Sequence, residues 1–77
     1  MDDFENISWL VMNDGDVTVG RAGSVACAAT ASDEHQCLAM LVRRPGESLF
    51  ALLGRLDAAI HNALENQVFV DEINGQS

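Results

Sequence analysis

The chain predicts a two-layer α+β fold: a small, mainly antiparallel sheet with one amphipathic helix packed on one face. Three observations carry this. Between Ser48 and Asn66, apolar residues recur at steps of three and four behind a cap signal, which is the period of a half-buried helix. Before that segment lie short alternating or β-branched runs separated by glycine and acidic clusters, which is how strands and turns are written. After it, Val68-Phe69-Val70 follows almost at once, and a strand so close to the end of a helix returns to the same sheet. The expected order is β-β-β-β-α-β in a single domain over 1–77, with 1–6 and 74–77 as frayed ends.

In chain order, Ile7 to Met12 is an apolar run too short for its period to classify it. Its β-rich composition favours a strand, although Phe4, Ile7, Leu10 and Val11 also fit a short helix. Asn13-Asp14-Gly15-Asp16 reads as a tight turn, since Asp-Gly tolerates positive φ. Val17-Thr18-Val19 is a short β-branched strand, and Gly20-Arg21-Ala22-Gly23 is a second break. Ser24 to Ala31 is a strand of small residues, with Val25, Cys27, Ala29 and Ala31 on one face. The polar stretch Ser32 to Gln36 connects it to a return strand, Cys37 to Arg44, with Leu38, Met40 and Val42 on one face. A loop centred on Glu34 sets Cys27 opposite Leu41. Pro45-Gly46 ends that strand, and the Ser48 hydroxyl caps the helix by accepting a free first-turn amide. Leu49, Leu53, Leu56, Ile60, Ala63 and Leu64 form the stripe expected to be buried. Ala51, Gly54 and Ala58 form a side strip without bulk, which is read as close packing, a solvent position or a contact with a second copy. Val68 to Ile73 is the last strand.

Composition bounds the function. Seventy-seven residues bury a small core, and domains of this size usually need a staple or a partner. Two cysteines do not make a disulfide framework, so a partner or self-association takes that place. Twelve acids face four arginines and no lysine, a net charge of −8. Such a chain repels phosphate backbones and anionic membranes and attracts basic partners. Arginine without lysine, with abundant alanine, fits a GC-rich bacterial genome. The acidic N-terminus does not look like a signal peptide, and no stretch approaches the roughly 20 apolar residues of a membrane span. The expected location is the cytoplasm, with both thiols reduced.

The residue types that carry chemistry do not assemble by spacing. Cys27, His35, Cys37 and His61 lack the intervals of a zinc site. Asp57 and His61 are an i, i+4 pair, an arrangement that orients an imidazole in some sites and decorates solvated helices in most. The bare G-x-x-G at Gly20–Gly23 lacks the lysine and following helix of a phosphate loop. Asn13–Asp16 lacks the twelve-residue frame of a calcium loop. No catalytic residue, cofactor or metal ligand is expected.

One helix cannot cover both faces of a sheet. Trp9, Leu10, Met12, Leu41 and Phe69 are more large apolar groups than that helix can bury, so some should meet another molecule. The candidate interaction surface is therefore Trp9, Leu41 and Phe69 with the basic pair Arg43-Arg44. Arg43-Arg44 meets either an acidic group on a partner or the acidic termini of this chain. The leading expectation is a non-enzymatic interaction or regulatory module that forms a symmetric dimer through the free sheet face. The main alternative is an antitoxin-like or inhibitor protein that binds a basic partner, and a small enzyme or ligand-binding domain is the third. Strands followed by the capped helix from Ser48-Leu49 to Ala59-Ile60 and a last strand resemble the HicB-type antitoxin domain in arrangement. That resemblance implies a protein partner and assigns no residue.

Overall fold

A computed structural model of the chain describes residues 4–74. The elements are α1 (Glu5–Met12), β1 (Asp16–Ala22), β2 (Val25–Ser32), β3 (Cys37–Val42), α2 (Leu49–Asn66) and β4 (Val70–Asp71). The strands form one sheet in the order β1-β2-β3-β4. The first three form an antiparallel meander, and β4 pairs with β3 in parallel. A parallel neighbour needs a crossover, and α2 is that crossover. It packs on β2 and β3, while α1 packs against α2 and β1. The two-layer α+β class is as predicted, with two helices rather than one in the helical layer.

The first element is the main difference, because Glu5–Met12 is a helix and not a strand. Ile7 and Leu10, three apart, face the core, while Trp9, Val11 and Met12 point outward. Eight residues make a marginal helix alone, and Phe4 at its N-cap makes no side-chain cap bond. Asp57, on α2, supplies the cap. Its Oδ1 accepts from the Ile7 amide at 2.8 Å and its Oδ2 from Asn6 Nδ2 at 2.9 Å. A carboxylate at a helix N-terminus also meets the positive end of the helix dipole. Glu5 and Asn6 are thus ordered parts of α1, and Asn74 is tied to Asp71 by two hydrogen bonds. Phe4, also expected to fray, is the N-cap residue of α1, and 1–3 and 75–77 lie outside the described residues. Asn13–Asp16 closes a helix rather than a hairpin. The amides of Asn13 and Gly15 both donate to the Leu10 carbonyl, and Asp14 takes φ 70°. A methyl group at Gly15 would stand 2.8 Å from the Leu10 oxygen, so only glycine fits there.

The β1–β2 turn falls later than the first glycine suggests. β1 runs through Gly20, where the register shifts, and the hairpin closes at Gly23-Ser24 between the paired Ala22 and Val25. Gly23 has φ 60°, a conformation in which glycine is not strained. In β3, a register shift opposite Ala31 and Ser32 adds Leu38 as an extra residue. A bulge reverses the alternation. Leu38, Ala39 and Leu41 therefore join the core, and Met40 and Val42 take the outer face. The expected grouping of Leu38 with Met40 and Val42 fails for that reason. Cys27 also falls opposite Arg43, whose amide donates to it at 3.1 Å, and not opposite Leu41. Asp33 fixes the loop by accepting from the His35 and Gln36 amides, both at 2.8 Å. Those two bonds hold its carboxyl below the usual range.

α2 has the predicted span and cap, with Ser48 Oγ accepting from the Ala51 amide at 3.0 Å. Its buried face is Leu52, Leu56, Ala59, Ile60 and Ala63. Leu56, Ile60 and Ala63 were expected there. Leu49, at 54 % exposure, and Leu64 are outside it, and Leu53 is only partly covered. The helix is rolled so that Leu52, Leu56, Ala59, Ile60 and Ala63 share one core with Ala29, Ala31 and Ala39 of the sheet. Gly54 faces open space: a methyl there would meet nothing within 4 Å. It is a solvent position and not a packing contact with the sheet. β4 is shorter than the expected 68–73, since Gln67 in the left-handed region and the Val68 amide, bonded to the Asn62 carbonyl, still belong to the helix cap.

Candidate functional site

The two ends of α2 differ in chemistry. At its N-terminal end, Arg55 joins four segments. Nε and Nη2 donate to the two Glu47 oxygens at 2.7 and 2.9 Å, a bidentate pair. Nη2 also donates to the Val42 carbonyl at 2.9 Å, and Nη1 reaches Glu72 at 3.3 Å. Glu72 in turn accepts from the Val42 amide at 2.8 Å, and Glu47 from the Arg44 amide at 2.9 Å. The end of β3, the turn before α2, α2 itself and the residue after β4 are thereby linked. The Glu47 side chain is only 10 % exposed. The Arg55 hydrogen bonds, then that of the Arg44 amide, hold its carboxyl down at about 2. The same pairing, with Glu72 beside it, raises Arg55 above its ordinary range. Every donor aimed inward here has a partner within the chain, which is the mark of a structural clamp. Its members, at positions 47, 55 and 72, have no local spacing that would reveal them in the sequence.

The expected surface residues are not brought together. Leu41 is 2 % exposed and belongs to the core. Leu10, also counted as surplus, is buried with it. Arg43 and Arg44 are exposed beside the clamp; Arg43 Nε donates to the Glu47 carbonyl, and neither guanidinium pairs with a carboxylate among the described residues. Trp9 and Phe69 are both about half exposed, and Trp9 lies on α1 near the other end of α2. The free sheet face carries Thr18, Ala26, Ala28, Thr30, Met40 and Val42, because their strand neighbours Val17, Ala29, Ala31, Ala39 and Leu41 belong to the core under the helices. It is made of small and polar groups, and its two larger apolar ones are half-buried. Most of the large exposed apolar groups, Trp9, Val11 and Met12 on α1 and Leu49 and Phe50 on α2 among them, lie off that face, so the sheet face is the weaker place for a second copy.

At the C-terminal end of α2, a groove of about 350 Å³ opens between the two helices. Its lining is Glu5, Asn6 and Trp9 from α1 with Leu64 and Glu65 from α2. Trp9 is 53 % exposed there. Asn6 is fixed by Asp57, which anchors α1 and so sets the position of Trp9. Leu64, expected in the buried stripe from its spacing, is 38 % exposed and forms an apolar wall of this groove.

The residues weighed for chemistry stay apart. Asp57 is committed to α1, and His61 is exposed. Cys27 and Cys37 are free thiols, and Cys37 donates weakly to the Ala31 and Ala39 carbonyls. Among the described residues no three metal-ligating side chains cluster, and no helix is long and apolar enough to cross a membrane. The chain matches no protein-family model, no curated protein and no solved structure.

Proposed function

We propose that this chain is a non-enzymatic protein-interaction module of the bacterial cytoplasm that docks its partner in the groove between α1 and α2. The observation that carries the reading is Trp9: a tryptophan held half out of the protein, on a helix whose position is fixed by Asp57, against the apolar wall of Leu64. Large aromatic groups in fixed positions beside apolar partners are the usual energetic centres of protein contacts. The groove's lining offers two carboxylates and an amide but no histidine, cysteine or hydroxyl, a poor set for nucleophilic chemistry. The charge of −8 supports a protein rather than a nucleic acid or an anionic membrane as partner.

The test is affinity purification of the tagged full chain from the cells that produce it, beside Trp9→Ala and Leu64→Ala variants. Both substitutions remove exposed side chains, so the variants fold. One discrete protein should co-purify at a fixed ratio with the parent chain and be lost from both variants. A partner retained by both would move the docking surface elsewhere, and turnover of a substrate by the purified chain would overturn the non-enzymatic reading.

A further inference from the structure

We infer that the groove takes a cationic amphipathic segment of its protein partner, with an apolar side chain seated on Trp9 and Leu64 between arginines or lysines that reach Glu5 and Glu65. This rests on the docking reading above and names the partner's chemistry. Both charged residues of the lining are acids. The cations Arg43, Arg44 and Arg55 belong to the clamp, and from Arg55 to Leu64 a helical rise of ~1.5 Å per residue makes roughly 14 Å. No cation of the described residues pairs with Glu5 or Glu65.

Glu65 adds a second argument. It stands in the last turn of α2, and that turn holds no basic residue. The C-terminal end of a helix carries partial negative charge, so a carboxylate there is unfavourable in the free protein. Glu5, by contrast, lies in the first turn of α1, where an acid is favourable for local reasons. A residue that breaks a local rule without an internal compensation points to a use outside the chain. An arriving cation would neutralise Glu65 and the helix end together. A second copy brings the same two acids and another net charge of −8, so a twofold contact through the groove sets like charges face to face.

Trp9 is the one tryptophan of the chain, which has no tyrosine, so its fluorescence reports the groove directly. Three synthetic helical peptides serve as probes. All present a leucine face, and their polar faces are entirely arginine, glutamine or glutamate. The arginine peptide should shift Trp9 emission to the blue, bind tightest, and weaken as salt rises. Glu5→Gln and Glu65→Gln should each weaken it about two- to fivefold, the range of an exposed ion pair. Glu65→Gln should also leave the free protein at least as resistant to heat, a sign opposite to its effect on binding. Equal binding of the glutamine and arginine peptides, or no loss in the two variants, would overturn the cationic assignment and leave the docking reading standing. Emission unmoved by every peptide would remove both. A blue shift produced by protein concentration alone, with a matching rise in sedimenting mass that Trp9→Ala abolishes, would make a second copy the occupant and overturn the inference.

Discussion

The two ends of α2 are built on opposite rules. Around Arg55, carboxylates and backbone groups from four segments are paired, and Glu47 is nearly covered. Around Trp9, large apolar groups stand in solvent, and the two acids nearby have no cation of the described chain beside them. The polar groups of the first end are paired within the chain, although Leu49 and Phe50 stand exposed there, whereas the acids of the second end have no such partner among the described residues. Charge in a small protein thus has two separate jobs, and pairing within the chain tells them apart better than charge density does. Arg43-Arg44, the most visible basic pair in the sequence, lies beside the clamp and not in the groove.

The sharpest way to break this contrast is through the core that both ends share. Leu56→Ala and Ile60→Ala remove fully buried side chains and should each cost about 2–5 kcal/mol, enough to unfold much of so small a domain. Leu64→Ala, on the groove wall, should cost under about 1 kcal/mol. Urea denaturation of the three variants gives the ranking. Comparable losses in all three would put Leu64 back in the core and remove the groove.

The clamp comes next. Arg55→Ala should cost between the ~1 kcal/mol of an exposed pair and the ~3 kcal/mol of a buried one, since the guanidinium side chain is 22 % exposed. Its pH dependence has a definite sign. Glu47 is held at about 2 in the folded protein against an ordinary 4.5, so the unfolded chain takes up the proton first. The stability this pairing contributes is present above about pH 4.5 and is lost as pH falls toward 2. Asp33 and Asp71 are also lowered and act in the same direction, so the informative quantity is the difference between the parent and Arg55→Ala. That difference should shrink on acidification. A constant difference from pH 7 to pH 2 would show that the pairing does not stabilise the fold.

Asp57→Ala should cost about 0.5–2 kcal/mol, the range for loss of an N-cap. Hydrogen exchange should quicken in α1 before α2, and Trp9 emission should shift as its helix loosens. Unchanged exchange in α1 would mean that packing alone holds this helix. The smallest effect has the opposite sign. Gly54→Ala should stabilise by about 1 kcal/mol, because the position is helical, exposed and open around its missing methyl. A lower melting temperature would reveal a contact on that strip, a second copy included.

The long helix and its Ser48 cap, the small-residue strand and the α+β class were legible from local chemistry, because period, caps and turn residues act over a few positions. Phe4, Ile7, Leu10 and Val11 allowed the helix α1 without requiring it. What settles it is a carboxylate fifty positions away, Asp57 on the Ile7 amide. The roll of α2 was likewise beyond its own pattern. Leucines stand on more than one side of the helix, and only its packing on the sheet and on α1 decides that Leu52 is buried while Leu49 and Leu64 are exposed. The bulge at Leu38 then reversed which residues of β3 face that helix, and moved Leu41 from candidate surface to core. The clamp and the groove follow from the same cause. Residues 47, 55 and 72, or 9 and 64, become neighbours only through folding, and their chemistry depends on distances that no local pattern encodes.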